Sequence, residues 1–381
     1  MAEFTLKSFF SAALVQRMAG ELAKAHPAFP SKAFIRDASR GLDELELLDR
    51  ARHLARALAT HLPRAFPDAV EVLLRSLGPQ IEGDENLGLG MAPFFYLPAL
   101  MFIAEHGVAH FDLALDAQRE ITKRCSAESS IRTFIAHDPE RAWKTFEKWV
   151  RDDNAHVRRL VTEGTRLRLP WAMRVPWLDA NPKRIVAILD QLKDDSSSMV
   201  RRSIANNLND LGKFEPELVF ATCERWLKTS KGEETRAMVE HALRTAVKRG
   251  DARALKLLGF GGKPSVKLED VRFEPQRVPI GQSVDFTFSL RSTSKQKQDL
   301  LVDAAVHFVK AKGTTFAKVF KLNRVSLEPG ASAALRVRVS LKVHTTRKPQ
   351  PGTHRVDVLV NGVSISAGKF EVSRAKSAPR R

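Results

Sequence analysis

The sequence predicts two folds in one chain, an α-solenoid of HEAT-like repeats followed by an immunoglobulin-like β-sandwich. A repeat carries the first expectation. The block Ser196 to Gly212 has a counterpart 43 residues earlier, Val157-Arg158-Arg159 aligning on Val200-Arg201-Arg202. Helix openings recur at Asp138-Pro139, Asn181-Pro182 and Glu215-Pro216, spaced by 43 and then 34 residues. Proline at the first helical position after a capping residue is a start signal, because its missing N–H is an orphan there anyway. Two helices per repeat at a period of about 35–45 residues build a solenoid. A change of period carries the second expectation. After Pro264 the apolar residues alternate, as in Val284-Asp-Phe-Thr-Phe-Ser-Leu290, Leu335-Arg-Val-Arg-Val-Ser-Leu341 and Arg355-Val-Asp-Val-Leu-Val360, which is the pattern of half-buried strands.

Residues 1–258 read as the helical domain. Leu45, Leu47, Leu48, Ala51, Leu54, Ala55 and Leu58, and further on Ala142, Phe146, Trp149 and Val150, recur at helical spacing. Gly83 to Gly90 reads as a longer loop, and the stretch Ser126 to Arg132 as a second helix of its repeat. Residues 259–264, Gly-Phe-Gly-Gly-Lys-Pro, read as a linker. Its Gly-Gly-Lys is no phosphate loop, since Pro264 stands where Ser or Thr is needed and a helix rather than a strand precedes it. Residues 265–373 hold about seven strands, the count of an immunoglobulin-like sandwich. They are divided by turn signals at Gly281, Gly313, Pro329-Gly330, Pro351-Gly352 and Asn361-Gly362. Residues 374–381 read as a basic disordered tail.

The charge is uneven. The whole chain carries +18, and residues 263–381, with 23 basic against 9 acidic side chains, carry +14 of it. Such a field draws polyanions, so Lys310, Lys312, Lys318, Arg336, Arg338, Arg347 and Lys348 are candidates to meet a nucleic-acid backbone. The two cysteines, Cys125 and Cys223, form no CxxC pair, which argues against a disulfide framework or zinc site and fits a reducing cytoplasm. No run approaches the ~18 apolar residues of a membrane span, and the start lacks a signal-peptide order. A soluble, unexported, monomeric protein with no membrane partner is expected. His106 and His110 have HxxxH spacing without a third ligand nearby, so neither metal nor cofactor is called for.

One polar column stands out on the expected second helices. Arg159, Glu163 and Arg166 share a stripe; 43 residues on, Arg202, Asn206 and Asn209 take the same positions with Asp210 adjacent, and Glu128 lies 35 residues before Glu163. A carboxylate framed by arginines and followed by Trp171 suits cation chemistry beside a phosphate backbone. Arginine meets phosphate, the carboxylate steadies positive charge at a sugar carbon or orients water, and the indole attracts a cationic base. The plainer reading is ordinary helix ion pairs worth a few tenths of a kcal/mol. In the same spirit Trp171 could plug a groove between repeats, and one of Arg201 and Arg202 could cap a neighbouring helix or meet Asp194 and Asp195. Trp143, Trp149 and Trp226 fall at apolar helix positions and read as core.

These residues resemble a known family. Val200-Arg-Arg-Ser-Ile-Ala-Asn-Asn-Leu-Asn-Asp210, Arg158-Arg159 with Glu163-Gly-Thr-Arg166, and Leu169-Pro-Trp171 are similar to the DNA alkylation repair family of HEAT-like DNA glycosylases. The likeness is strongest to its AlkC branch, part of which carries a C-terminal immunoglobulin-like domain, with AlkD a more distant relative. It implies excision of cationic N-alkylated bases, notably N3-methylcytosine and N3-methyladenine, from double-stranded DNA without deep base flipping, and hence association with the nucleoid. It also implies site roles: Glu163 as first catalytic carboxylate, supported by Glu128 and Asp210; Trp171 against the deoxyribose or lesion; Arg159, Arg166, Arg201 and Arg202 towards phosphates; Asn206 and Asn207 shaping the groove. The sequence around Glu128, Cys125-Ser-Ala-Glu-Ser-Ser, departs from the aromatic-rich version expected of the family. The competing reading is a catalytically inactive HEAT-repeat adaptor that binds nucleic acid or protein.

Overall fold

The computed structural model describes residues 5–81, 83, 90–230, 232–343 and 348–374. Most of the expected 83–90 loop, Arg347 and nearly all of the expected tail lie outside them. The chain forms two compact units, 1–242 and 243–381. Its helices are α1 (Ala12–Ala25), α2 (Ser31–Ser39), α3 (Leu47–His61), α4 (Phe66–Arg75), α5 (Leu97–His106), α6 (Phe111–Thr122), α7 (Ile131–His137), α8 (Pro139–Trp149), α9 (Ala155–Gly164), α10 (Pro176–Ala180), α11 (Pro182–Asp190), α12 (Ser198–Leu211), α13 (Pro216–Thr229), α14 (Glu233–Lys248) and α15 (Ala252–Leu257).

The recurrent prolines open α8, α11 and α13 at their first position. Their caps differ. Asp138 accepts from the Arg141 amide, whereas Asn181 spends its amide group on Trp177 O, 2.8 Å away, and Glu215 makes no side-chain cap. The second helices α9 and α12 are capped by the side chains of Asn154 and Ser197. They bury Val157, Leu160 and Val161 on one helix, and Val200, Ile204, Leu208 and Leu211 on the other. Each such side chain contributes about 1.5–3 kcal/mol when taken out of water.

The repeated Val-Arg-Arg block has a structural first arginine. Arg158 donates to Asp152 O and Asp153 O, at 2.8 and 3.0 Å, and clamps the Asp195 carboxylate with Nε and Nη2. Arg201 repeats the device on Asp195 O and Ser196 O, at 2.6 and 2.8 Å. Both satisfy carbonyls in the turn before their own helix, which explains why the motif recurs at the repeat length. Among the tryptophans, Trp143, Trp149 and Trp226 are core. Trp177 lies 5.3 Å from Trp143, and Arg184 spans both rings.

The second unit takes the end of α14 and all of α15 together with, among the described residues, eight strands: β1 (Val266–Glu274), β2 (Arg277–Pro279), β3 (Ser283–Ser292), β4 (Gln298–Val309), β5 (Thr315–Leu327), β6 (Ser332–Ser340), β7 (Gly352–Val360) and β8 (Val363–Ser373). One sheet runs β1-β3-β6 and the other β2-β8-β7-β4-β5. Phe286, Phe288, Val302, Val306, Phe308, Val356, Val358 and Phe370 fill the space between them. Asn361 and Gly362 take φ of 47° and 77° in the two-residue β7–β8 turn, as a twisted hairpin requires. Gly362 is also hemmed in: a Cβ there would meet Gly250 Cα at 2.9 Å. Asn361 further donates to Gly262 O, 3.1 Å away. The segment read as a linker, 259–264, therefore lies inside the second unit.

Candidate active site

Three carboxylates and three cations alternate along α9, α12 and the turn before α7. Glu128, its side chain held by Ser126 Oγ at 2.8 Å, faces Arg159 Nη2 at 3.1 Å. The same Nη2 lies 3.7 Å from Glu163 Oε1, while Glu163 Oε2 accepts from Arg166 Nη1 at 2.8 Å. Arg166 then grips Asp210 Oδ2 through Nε and Nη2, at 2.9 and 2.8 Å. Lys213 closes the row on Asp210 Oδ1 at 2.9 Å. The spacing of Glu163 to Arg159 and Arg166 makes the pairs within α9 and just past its end; the link to Asp210 is made between repeats and reaches across 44 positions of sequence.

Burial grades the row. Glu163 and Asp210 are 3 and 4% exposed, whereas Glu128 and Arg159 are partly open. Burial alone would lower the Arg166 pKa, but the Glu163 and Asp210 carboxylates outweigh it and the guanidinium is held more firmly charged. The two Glu163 oxygens are unequal. Oε2 is pinned, while Oε1 accepts no hydrogen bond from any described residue. Among the described residues the fully buried side-chain atoms lacking a partner are Asn207 Oδ1 and His354 Nδ1, and Glu163 Oε1 is not one of them. A carboxylate oriented through one oxygen and open at the other can accept from water or face developing positive charge.

Trp171 lies on the loop between α9 and α10, five positions after Arg166. It is 65% exposed and its φ is 59°, a left-handed backbone that costs a non-glycine residue on the order of 1–3 kcal/mol. A strained, exposed indole on the loop that leaves the helix bearing Glu163 marks a functional position better than a packing one. The same loop is anchored by Arg168, which meets Asp179 and lies 4.1 Å from the ring centroid of the exposed Phe214 after α12.

Several expected positions fall elsewhere. Glu128 is in a turn rather than on a helix, because α7 begins only at Ile131. Arg201 is spent on turn carbonyls, as described. Asn207 is 0% exposed and donates to Thr162 O at 2.8 Å and Thr165 Oγ1 at 3.0 Å, so it ties α12 to α9 instead of lining a groove. Arg202 is exposed and Asn206 half-buried, with Asn206 Oδ1 3.0 Å from His241 Nε2. A recess of about 270 Å³ opens there between α12 and α14, walled by Arg201, Arg202, Ala205, Met238 and His241.

Arg132 escaped the sequence reading. The residue is 1% exposed, and its guanidinium donates to Gly164 O, Arg166 O and Met173 O, at 2.8, 2.7 and 2.7 Å. Burial pulls its pKa down to about 10, so it remains charged at neutral pH.

Among the described residues no group of three or more His, Cys, Asp and Glu is placed to hold a metal ion. His106 and His110 lie against the Phe102 and Phe66 rings. Both cysteines are buried, and burial pushes their thiols up to about 12. In the sandwich, Lys310 and Lys312 lie at the β4–β5 turn and Lys318 on β5, an edge strand; Arg336 and Arg338 face outward from β6, the edge strand that touches β5. Arg336 pairs with Asp285 at 2.9 Å. Lys348 stands in the segment leading into β7.

The fold and site together define a helical-repeat protein with a row of buried and half-buried carboxylates, followed in the chain by an immunoglobulin-like sandwich. A family model described as DNA alkylation repair enzyme matches residues 122–249, and one for the C-terminal Ig-like domain of the uncharacterised protein YhaZ matches residues 267–374. The uncharacterised protein YhaZ of Bacillus subtilis (strain 168) is 32% identical over 372 residues, 96% of this chain and 99% of that protein. Among solved structures, the Pseudomonas fluorescens alkylpurine DNA glycosylase AlkC, bound to DNA containing an abasic site analog, is 36% identical. That match has a TM-score of 0.89 over 97% of this chain and 100% of that one. The chain belongs to the DNA alkylation repair enzyme family.

Proposed function

We propose that this protein is a monofunctional DNA glycosylase that hydrolyses the N-glycosidic bond of cationic N-alkylated bases, N3-methylcytosine and N3-methyladenine, in duplex DNA. The observation that carries the reading is the half-pinned Glu163 between Arg159 and Arg166, with the exposed Trp171 on the loop that leaves the same helix. The near full-length similarity to AlkC, solved on DNA containing an abasic site analog, supports the same assignment.

An alkylated base carries a positive charge, so the C1′–N bond breaks with its electron pair passing to the base, which leaves neutral. The sugar becomes oxocarbenium-like. Glu163 faces that charge, Oε1 accepts a proton from the attacking water, and the new C1′–O bond leaves an abasic site. The proton then passes to solvent. Glu128 and Asp210 keep Arg159 and Arg166 in register, so the Glu163 carboxylate is already oriented before the charge develops and costs little reorganisation. Trp171 packs on the deoxyribose or lesion, and the protein has no need of a deep base pocket because the leaving group is activated already. Arg202 takes a phosphate, as does Arg159 through its Nε and Nη1, which make no hydrogen bond to a described residue. The basic edge formed by β5 and β6 serves as a second grip on DNA.

One observation favours the rival reading of a silent adaptor: Arg159 and Arg166 are already engaged with carboxylates, as in a purely structural ion-pair network. Release of methylated base from a duplex with a single lesion, without added metal, decides between them. The glycosylase releases the base; the adaptor binds DNA and releases nothing.

A further inference from the structure

Arg132 is a buried charge with no ion pair to a carboxylate of a described residue; Asp179 favours its charged form only from further off. Among the described residues of the helical unit the one parallel to Arg132 is Arg50, whose guanidinium likewise meets backbone carbonyls but also has Asp43 at 3.4 Å. Burying a guanidinium without a counter-ion is costly unless its donors are met. Here three of the five N–H donors, those on Nε and Nη1, are met by carbonyls, and the places of those carbonyls in the chain are informative. Gly164 O belongs to the last turn of α9, one residue beyond Glu163, where the helix carries its negative dipole end. Arg166 O and Met173 O stand at the two ends of the loop that presents Trp171. One side chain from α7 therefore fixes the end of the helix bearing Glu163, the backbone of Arg166, and both bases of the loop whose Trp171 holds a left-handed φ of 59°. A strained residue keeps such a backbone only where its surroundings over-determine it.

We infer that Arg132 is a positioning residue for the reaction: it holds the Trp171 loop in place beside the Glu163–Arg166 pair without itself touching DNA. This rests on the glycosylase reading for its kinetic part, while its structural part stands alone. Lysine at this position keeps the charge but reaches a single carbonyl and has no planar fork to span three. Arg132→Lys thus releases the loop while leaving a cation in the core.

The experiment joins two readouts on the full chain. The first is chymotrypsin cleavage after Trp171, followed by mass spectrometry, which needs no activity. Wild type resists; Arg132→Lys is cut on the order of tenfold faster at Trp171, with cleavage elsewhere unchanged. The second is a single-turnover cycle on lesion duplex with Arg132→Lys, Trp171→Phe and the double variant. Misplacing a reacting or supporting group by about 1 Å costs on the order of 100-fold. Arg132→Lys is therefore expected to lose on the order of 10- to 100-fold in rate while its affinity for abasic-site duplex stays within about threefold. Adding Trp171→Phe then costs little more, because the ring is no longer held. Equal cleavage at Trp171 in wild type and variant overturns the inference. So do additive rate effects, or a loss confined to DNA affinity. A wild type that releases no base refutes the glycosylase reading, and the cleavage result still decides what Arg132 holds. Should Arg132→Lys fail to fold, one Gly inserted after Ala172 leaves Arg132 intact, displaces Met173 O and carries the same expectations.

Discussion

Replacing Arg166 by Met removes the cation that joins Glu163 to Asp210 while keeping much of its volume. Glu163 and Asp210 are nearly buried, and Arg166 supplies the shortest contact to each. Removing one partner of a buried pair costs about 3–5 kcal/mol, because the remaining charge is left uncompensated. Arg159 at 3.7 Å and Lys213 at 2.9 Å still offset part of that, so the low end, about 3 kcal/mol, is expected. The assay is urea unfolding followed by far-ultraviolet circular dichroism, which reports the helical transition of the first unit. Adding Asp210→Asn restores part of the stability, since it removes one orphaned charge. A loss below about 1 kcal/mol at neutral pH would mean a solvated surface network, and the pre-organised row would have to be abandoned.

Further outcomes follow from the same geometry. Asn207→Ala costs about 1–3 kcal/mol of helical stability, because Thr162 O loses its donor, yet changes affinity for lesion duplex little; a selective loss of DNA affinity would restore Asn207 to the groove. Changing Lys310, Lys312 and Lys318 to Gln lowers the slope of log affinity against log salt by roughly 0.9 for each phosphate no longer neutralised; an unchanged slope removes the β5 edge from DNA binding. Burial lowers the His354 pKa: its Nε2 donates to Gln350 O at 3.1 Å, and Nδ1 has no partner to receive a second proton. The fold favours the neutral ring, so sandwich stability is full above the unfolded value of about 6.5. It falls as pH drops below that value and levels off beneath the depressed folded one. Thermal melts of the β transition should show this, and His354→Phe should flatten it; a melt that rises as pH falls from about 7 to 5 would contradict it.

Much of the architecture was legible because it rests on local chemistry. Proline at the first helical position and the recurring arginine that caps its own turn are sequence-local devices, and they repeat with the solenoid. Strand alternation is equally local. The site was legible where one helix carries it: Glu163, Arg159 and Arg166 follow from α9 alone. It was not legible where a single step of about 100° along a helix decides between groove and core. Asn206 and Asn207 differ by that one step, and only the packing of α12 on α9 separates them. Glu128 was mistaken for a helical residue because Ser126 to Arg132 is compatible with helix or turn, and the carboxyl's meeting with Arg159 does not need a helix. Arg132 left one faint signal. It sits among Ile131, Phe134 and Ile135, all buried, so a charge there must find buried partners; which carbonyls those are depends on a loop more than thirty positions away.

The most direct test of the central claim compares wild type with Glu163→Gln for base release from a duplex holding one N3-methylcytosine or N3-methyladenine, under single-turnover conditions and without added metal. Gln keeps the shape and one accepting oxygen but loses the negative charge. The account predicts release by wild type and a loss on the order of 100- to 1,000-fold in the variant, the range for removing one transition-state charge stabiliser, with DNA affinity retained. Release unaffected by the substitution would contradict it and move the chemistry to Glu128 or Asp210.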